Sequence, residues 1–362
     1  MPEAIAADHR VVVVGGGQAG LAISYYLTRA GVQHLVLDAD DQVGASWTNR
    51  WDSLRLFTPA AYSALPGLPF PGPGDRYPGG RDVARYLIDY AERFGLPLRT
   101  ASPVRSLVKD DTFTLDTPTG PITAARVVVA TGAFGTPATP AFAHHLEPDL
   151  PASHSHDYRR PDDVPQGVVL VVGAGNTGYQ LELARAGRTV HLAHGATART
   201  VPQRIAGRDI FWWLTRTRLV SAPPDTRIGR RLRANDPIIG TSRAALHAAG
   251  VQFRPRALAG ACRTISFADG TTLQPDAILW ATGYRHDDRW IHIPGALDEH
   301  GALQTTGLNT PTRGLHVLGR PWQRSRGSAL LGFVGQDAHR LATRITTQEQ
   351  LSDRGGRRSQ PR

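Results

Sequence analysis

VVVVGGGQAG, residues 11–20, decides the fold: four β-branched residues run into a glycine turn, and Leu21, Ala22, Tyr25 and Leu27 follow with helical spacing. Strand, tight turn and helix in that order form a dinucleotide-binding unit. Gly15 allows the turn, Gly17 lets the backbone approach a pyrophosphate, and Gly20 lets the helix pack on the strand. The helix N-terminus, at Gln18 and Ala19, offers its amides to the phosphates. A second strand, His34-Leu35-Val36-Leu37, ends in Asp38, where a carboxylate should accept the ribose hydroxyls of an adenosine. A free 2′-hydroxyl is implied, as in FAD or NAD.

The pattern returns 158 residues later as VVLVVGAGNTG, from Val168 to Gly178, with Gly173, Gly175 and Gly178 in the three glycine places and Asn176 and Thr177 between them. Gly31 and Gly187 mark the two helix ends, and seven residues beyond them stand Asp38 and His194 respectively. With no acid to repel it, a 2′-phosphate fits the second unit, and Arg188, Arg199 and Arg204 lie nearby in sequence. That site is therefore expected to prefer NADPH. Its helix is shorter, nine residues from Gly178 to Gly187 against eleven from Gly20 to Gly31.

Two more buried-strand runs end alike in Ala-Thr-Gly: Arg126 to Gly132, closing on Thr131, and Ala277 to Gly283, closing on Thr282. Each follows a turn-rich β stretch, Thr112 to Ile122 and Thr264 to Leu273, the latter with Asp269-Gly270 as a hairpin signal. The predicted fold class is α/β, with two Rossmann-like, doubly wound, three-layer dinucleotide-binding domains. The expected boundaries are 1–162 and 288–350 for an FAD domain, 163–287 for an NADPH domain inserted into it, and 351–362 for a basic tail without fixed structure. Ligand crevices lie at the carboxyl ends of such strands, so the two nucleotides should face each other across a cleft. Asp209 to Thr241 stands outside the repeat: Ile210 to Leu214 reads as an apolar helix, and a Pro- and Arg-rich loop comes after it that either covers the cleft or packs on the domain.

With these elements in place the chain resembles the single-component, NADPH-using flavin-dependent monooxygenases, in particular the short bacterial CzcO-like flavoproteins. The resemblance runs from Val11 to about Ile345. It is carried by GGGQAG, VGASW ending at Trp47, WDSLRLFTPAAYSALPGLPFP from Trp51, HSHDYRRP from His154, GAGNTG, GRDIFWW from Gly207, ATGYR from Ala281 and PWQRSRGSALLGFVG from Pro321. The resemblance implies FAD and NADPH as cofactors, with Ser46, Trp47, Arg55, Thr131, Gly132, Arg199, Arg204, Thr282 and Gly283 joining the fingerprint residues and Asp38 in holding them. It further implies that NADPH reduces the flavin, that dioxygen adds at its C4a position, and that the outer oxygen passes to a nucleophilic nitrogen or sulfur. Arg55, Thr58 and Gln323 become the candidate catalytic residues, with Arg324 and Arg326 in the flavin pocket.

The match is incomplete. The family block F-x-G-x-x-x-H-x-x-x-Y/F keeps His154 and Tyr158 but has Pro148 and Leu150 in place of Phe and Gly. Baeyer-Villiger relatives carry Trp where Tyr158 stands, and an asparagine found beside the flavin in many members aligns with Phe57. An electron-transfer reductase or oxidase, a Baeyer-Villiger oxygenation and a sensory flavoprotein therefore stay open as alternatives.

Composition narrows the remaining classes. Cys262 is the only cysteine, which removes disulfides, a Cys-x-x-Cys redox centre and a cysteine metal cluster. His154 and His156 lack a third ligand at metal spacing, so no metal is expected. The net charge of +10 comes from arginine spread along the chain, with Lys109 the only lysine, and is read as a solvated surface without a nucleic-acid motif. No apolar run suits a membrane span, and Met1 to Arg10 is no signal peptide. A cytoplasmic enzyme is expected, acting on a small molecule and dioxygen with no membrane or nucleic-acid partner, as a monomer or homodimer.

Overall fold

The computed structural model describes residues 8–180, 186–195, 200–234 and 237–358 and is built of two sheet units, the second inserted into the first. Val11, Val12 and Val13 have no solvent exposure, as a strand covered on both faces requires. Their strand, His9–Val14, pairs in parallel with His34–Leu37 on one side and Ile122–Val129 on the other. The start of Ile122–Val129 pairs antiparallel with Phe113–Asp116, and its end pairs in parallel with Leu315–Val317. Leu315–Val317 lies beyond the insertion, so the late residues complete the first sheet.

In the second unit Val168–Val172 lies between Thr189–Ala193 and Ala277–Trp280, all parallel, with Gln252–Arg254 at one edge and Ala152–His154 at the other. That last strand corrects the expected boundary at 162/163. Leu150 buries with Val172 and Trp280 in one apolar cluster, and this drives residues 150–154 onto the second sheet. The chain crosses earlier, over Thr136–Pro137, and returns over Tyr284–Arg285; the two crossing segments pair antiparallel. Each lies just past an Ala-Thr-Gly.

Helix Val334–Arg358 closes the first unit by burying Val334, Ala338, Leu341, Ala342 and Ile345 along one face, against the cluster that holds Leu21 and Ile23. Glu349, further along it, pairs with Arg10 and Arg126. The helix continues through 351–358, where a tail without structure was expected. A helix anchored by a buried face extends at one hydrogen bond per residue, and that outweighs the local Gly and Ser content. Residues 359–362 lie outside the described residues.

Asp209 to Thr241 likewise holds more structure than expected. After Ile210–Arg216 comes a second helix, Arg227–Ala234, within the stretch read as loop. Phe211 is fully buried with Ile210, Val220, Ile239 and Phe333, so the aromatic run is packing core at this position.

Where the returning chain re-enters the first unit, Asp288 is 2% exposed and accepts from Arg320 Nη2 at 2.6 Å and from the Leu303 amide at 2.7 Å. Asp288→Ala would leave a guanidinium and an amide buried without their acceptor, a cost of about 3 kcal/mol in urea unfolding. Asp288→Ala combined with Arg320→Met should recover most of that loss; a double variant as unstable as the single one would show the pair is not what is missing.

Candidate active site

Both fingerprints hold their first glycine in a backbone shape that favours glycine, with φ of +110° at Gly15 and at Gly173. A Cβ would lie 2.5 Å from the Ala130 carbonyl oxygen in the first unit and 2.2 Å from that of Ala281 in the second. The third glycines are as tight, since a Cβ on Gly20 would be 1.8 Å from Gly15 O and one on Gly178 2.1 Å from Gly173 O. Gly17 and Gly175 differ: a Cβ on either would meet no protein atom within 4 Å. The first and third glycines serve packing, and the middle ones border open space at a helix N-terminus, where unpaired amides point outward. A pyrophosphate fits that cradle in both units.

Helix-start side chains are tied into the surroundings. Gln18 Nε2 donates to Ala329 O at 2.7 Å, and Gly319 passes so close that a Cβ on it would be 2.6 Å from that of Ala19. In the second unit Asn176 Oδ1 accepts from the Ile239 amide at 3.3 Å, and Thr177 lies half-buried in the first turn.

Asp38 ends its strand as expected, and its carboxylate is already oriented. Oδ2 accepts from the Gly16 amide and Oδ1 from the Asp40 amide at 2.9 Å, leaving lone pairs on both oxygens for a ribose. A Cβ at Gly16 would lie 2.7 Å from Asp38 Oδ2, so any side chain there would push the carboxylate out of this orientation. The second unit has Ala174 at that place and no carboxylate opposite.

At the equivalent strand end, His194 is flanked by two arginines distant in sequence. Arg243 Nη1 lies 3.3 Å from His194 Nε2, with its guanidinium 4.0 Å from the Phe253 ring centre, and Arg256 borders Gly195. This corrects the expected cation set. Arg188 is buried at the amino end of its strand, opposite the crevice, donating from Nε and Nη2 to Val164 O. Arg204 pairs with Asp75 of the first unit, and Arg199 lies outside the described residues. Sequence proximity missed Arg243 and Arg256 because parallel strands bring their carboxyl ends together from far along the chain; the Ser242-led helix start beside Arg243 was the available signal.

Between the units lies a cleft of about 510 Å³ whose walls include Arg55, Phe57, Tyr77, Tyr179 and Gln203. Arg55 is exposed at its side. Phe57 stacks 15° from the plane of Phe211, with ring centres 5.9 Å apart, and the Arg326 guanidinium lies 5.8 Å from its ring centre. Thr58 is buried, and its hydroxyl accepts from Ser63 Oγ at 2.9 Å. Asp209 knits the wall, accepting from Tyr77 OH at 2.7 Å and Gln203 Nε2 at 2.9 Å, while Gln203 also donates to Phe57 O. Burial and the Asp209 carboxylate push the Tyr77 hydroxyl above its usual value, so it remains the donor.

Gln323 does not take the catalytic place expected of it. Its Nε2 donates to Gly307 O and Val317 O at 2.8 and 2.7 Å and its Oε1 accepts from Arg320 N, so the amide is spent on loop backbone. Arg324 likewise pairs with Asp337 at 2.9 Å. Ser46 and Thr131 are exposed and Trp47 half-buried against the first core; Gly132 and Gly283 take φ of +76° and +83°, and Thr282 Oγ1 donates to Ala138 O.

His154 ends the edge strand of the second sheet, beside the linker. Burial holds its imidazole below the usual value, its Nδ1 accepts from the His156 amide at 3.0 Å, and its ring meets the edge of Tyr284 at 5.1 Å. Arg50 Nη1 donates to Tyr284 OH at 2.8 Å while its guanidinium lies 4.6 Å from the Phe134 ring centre. Tyr158 is buried with Trp51 in the second unit's core. Among the described residues no three His, Cys, Asp or Glu side chains gather as a metal site, and no helix is long and apolar enough to cross a membrane.

Residues 12–206 match the family model of the pyridine nucleotide-disulphide oxidoreductases. An uncharacterized CzcO-like oxidoreductase of Geobacillus kaustophilus is 40% identical over 92% of this chain and 97% of its own length, and the CzcO oxidoreductase of Bacillus subtilis is 34% identical over 92% and 98%. The flavin-containing monooxygenase structure from Stenotrophomonas maltophilia superposes with a TM-score of 0.77 at 26% identity, covering 94% of this chain and 98% of that one.

The glycines separate fold from binding. Gly17→Ala should leave the unfolding midpoint nearly unchanged while cutting the dinucleotide retained on purification at least about tenfold, whereas Gly20→Ala should not give folded protein. Full dinucleotide content in Gly17→Ala would displace the pyrophosphate from this cradle.

Proposed function

The chain belongs to the pyridine nucleotide-disulphide oxidoreductase family, among its CzcO-like oxidoreductases, and from that premise we propose that it holds FAD in the first crevice and NADPH in the second and oxygenates a small-molecule nucleophile at nitrogen or sulfur. The observation that most supports this reading is the pair of open cradles at Gly17 and Gly175, in two units whose Ala-Thr-Gly linkers meet as one ribbon. FAD bound there would couple NADPH oxidation to the reduction of dioxygen, one oxygen atom leaving in the product and the other as water.

The chain's own part is binding, orientation and exclusion of water. Asp38, oriented by Gly16 and Asp40, would accept from the flavin nucleotide's ribose. Arg243 and Arg256 would hold the 2′-phosphate, Arg243 stiffened by its stacking on Phe253. Phe57, Phe211 and Phe333 form an apolar wall that keeps water from the reacting centre. With a single cysteine, no dithiol within this chain serves a disulfide-reducing reaction.

A second reading, an NADPH oxidase or electron-transfer reductase, has its own support. Phe57 brings no hydrogen-bond donor to the cleft, and the buried Thr58 is not among the residues that line it. The ratio of substrate oxygenated to NADPH consumed, measured with amine and thioether panels and with peroxide release in parallel, separates the two. A ratio near one supports oxygenation; quantitative peroxide with every substrate class replaces it by the oxidase.

Arg243→Ala tests the nucleotide assignment. Losing a charge-assisted contact to the 2′-phosphate should lower kcat/KM for NADPH about tenfold to a hundredfold and leave NADH within about threefold. Equal losses with both nucleotides would place Arg243 outside the phosphate site.

A further inference from the structure

The chain leaves the second unit at Thr200–Val201 and returns at Ile238–Ile239, and these two short strands pair in parallel. The described residues between them, 202–234 and 237, are thus a lobe closed at its neck. Its base is fixed by Phe211 and Val220 in the core beside Phe57, and by Asp209 bonded to Tyr77. Most of its polar side chains face solvent. The sequence from 202 to 237 carries eight arginines against three aspartates, so about a tenth of the sequence contributes half of the +10 net charge. All eight arginines are exposed.

Charge is only half of the pattern. Ile205 and Ile228, 40% and 56% exposed, are among the few large apolar side chains that the described residues leave in solvent. Trp212 and Trp213, both half-buried, meet edge to face at 4.7 Å, with the Arg208 guanidinium 5.6 Å from the Trp212 ring centre. Helix Arg227–Ala234 lies with its backbone on Pro223, since a Cβ on Gly229 would be 1.8 Å from Pro223 O. Arg227, Ile228, Arg230 and Arg231 remain exposed around it. Guanidinium groups interleaved with isoleucine and tryptophan suit a surface whose phosphates lie above hydrocarbon. A nucleic-acid duplex would use the arginines but offer the isoleucines nothing comparable.

We propose that this lobe docks the protein peripherally on an anionic phospholipid surface, arginines on the headgroup phosphates and Ile205 and Ile228 at the acyl boundary. This inference does not depend on the oxygenation chemistry. Because the lobe's base abuts Phe57, docking would bring the cleft beside the bilayer.

Co-sedimentation of the purified full chain with vesicles tests it. Partitioning onto phosphatidylcholine with about 30% phosphatidylglycerol should exceed that onto phosphatidylcholine alone at least about tenfold, and should fall steeply between about 0.05 and 0.5 M salt. Arg227→Glu, Arg230→Glu, Arg231→Glu and Arg233→Glu together should lose at least about tenfold of that binding with dinucleotide content unchanged. Reversing Arg85, Arg93, Arg99 and Arg340, exposed arginines elsewhere, shifts net charge equally and should retain most of it. Ile205→Ser with Ile228→Ser should weaken binding severalfold at constant charge. Equal losses in the two charge-reversed proteins would reduce the effect to net charge and overturn the proposal. No preference for anionic vesicles, or tight duplex DNA binding without vesicle binding, would overturn it as well.

Discussion

The structure depends on one contact made twice: the first glycine of a fingerprint pressed on the carbonyl of the alanine in Ala-Thr-Gly. Gly15 N donates to Leu37 O and Ala130 N to Val14 O; Gly173 N donates to Ala193 O and Ala281 N to Val172 O. Three strand ends are joined at each of these points. No side chain fits, because its Cβ would lie 2.5 Å from the carbonyl oxygen at Gly15 and 2.2 Å at Gly173. The contact aims the helix N-terminus and fixes the direction in which the chain leaves Ala-Thr-Gly. The same small turn thus sets both where a pyrophosphate would lie and where the linker begins.

The linkers turn two similar units into one site. Tyr284 pairs with Pro137 across the ribbon, and Arg50, from the first unit, donates to Tyr284 while covering Phe134. His154 of the second unit leans on the same tyrosine. A ring shared by both units and both crossings resists rotation of one unit against the other. The Asp209 network makes a second tie on the far side of Phe57, so the cleft is braced at two places.

Near neighbours along the chain determine the features that could be read in the sequence. Buried strands announce themselves by runs of valine and tight turns by glycine, so both strand-turn-helix units were legible, as was Asp38 at the end of its strand. Partners decided by folding were not. Arg188 is near His194 in sequence yet lies at the opposite end of the strand, while Arg243 and Arg256 arrive from 49 and 62 residues away. Gln323 has the right chemistry for catalysis, and only its three backbone bonds reveal a loop anchor. The strand at residues 152–154 is too short to have a period; its place is fixed by the apolar cluster it completes.

The cleft's chemistry turns on which donors remain in it. An oxygen-activating centre needs water kept out and a proton source kept in, and these requirements compete for the same wall. Here the wall is mixed: Phe57 stacks on Phe211 and the Tyr77 proton is committed to Asp209, while Ser53, Gln180 and Thr241 also line it. Arg55 is left as the exposed polar side chain along the cleft. A substrate with a hydrogen-bonding group would meet that guanidinium and the Ser53 and Thr241 side chains of the same wall.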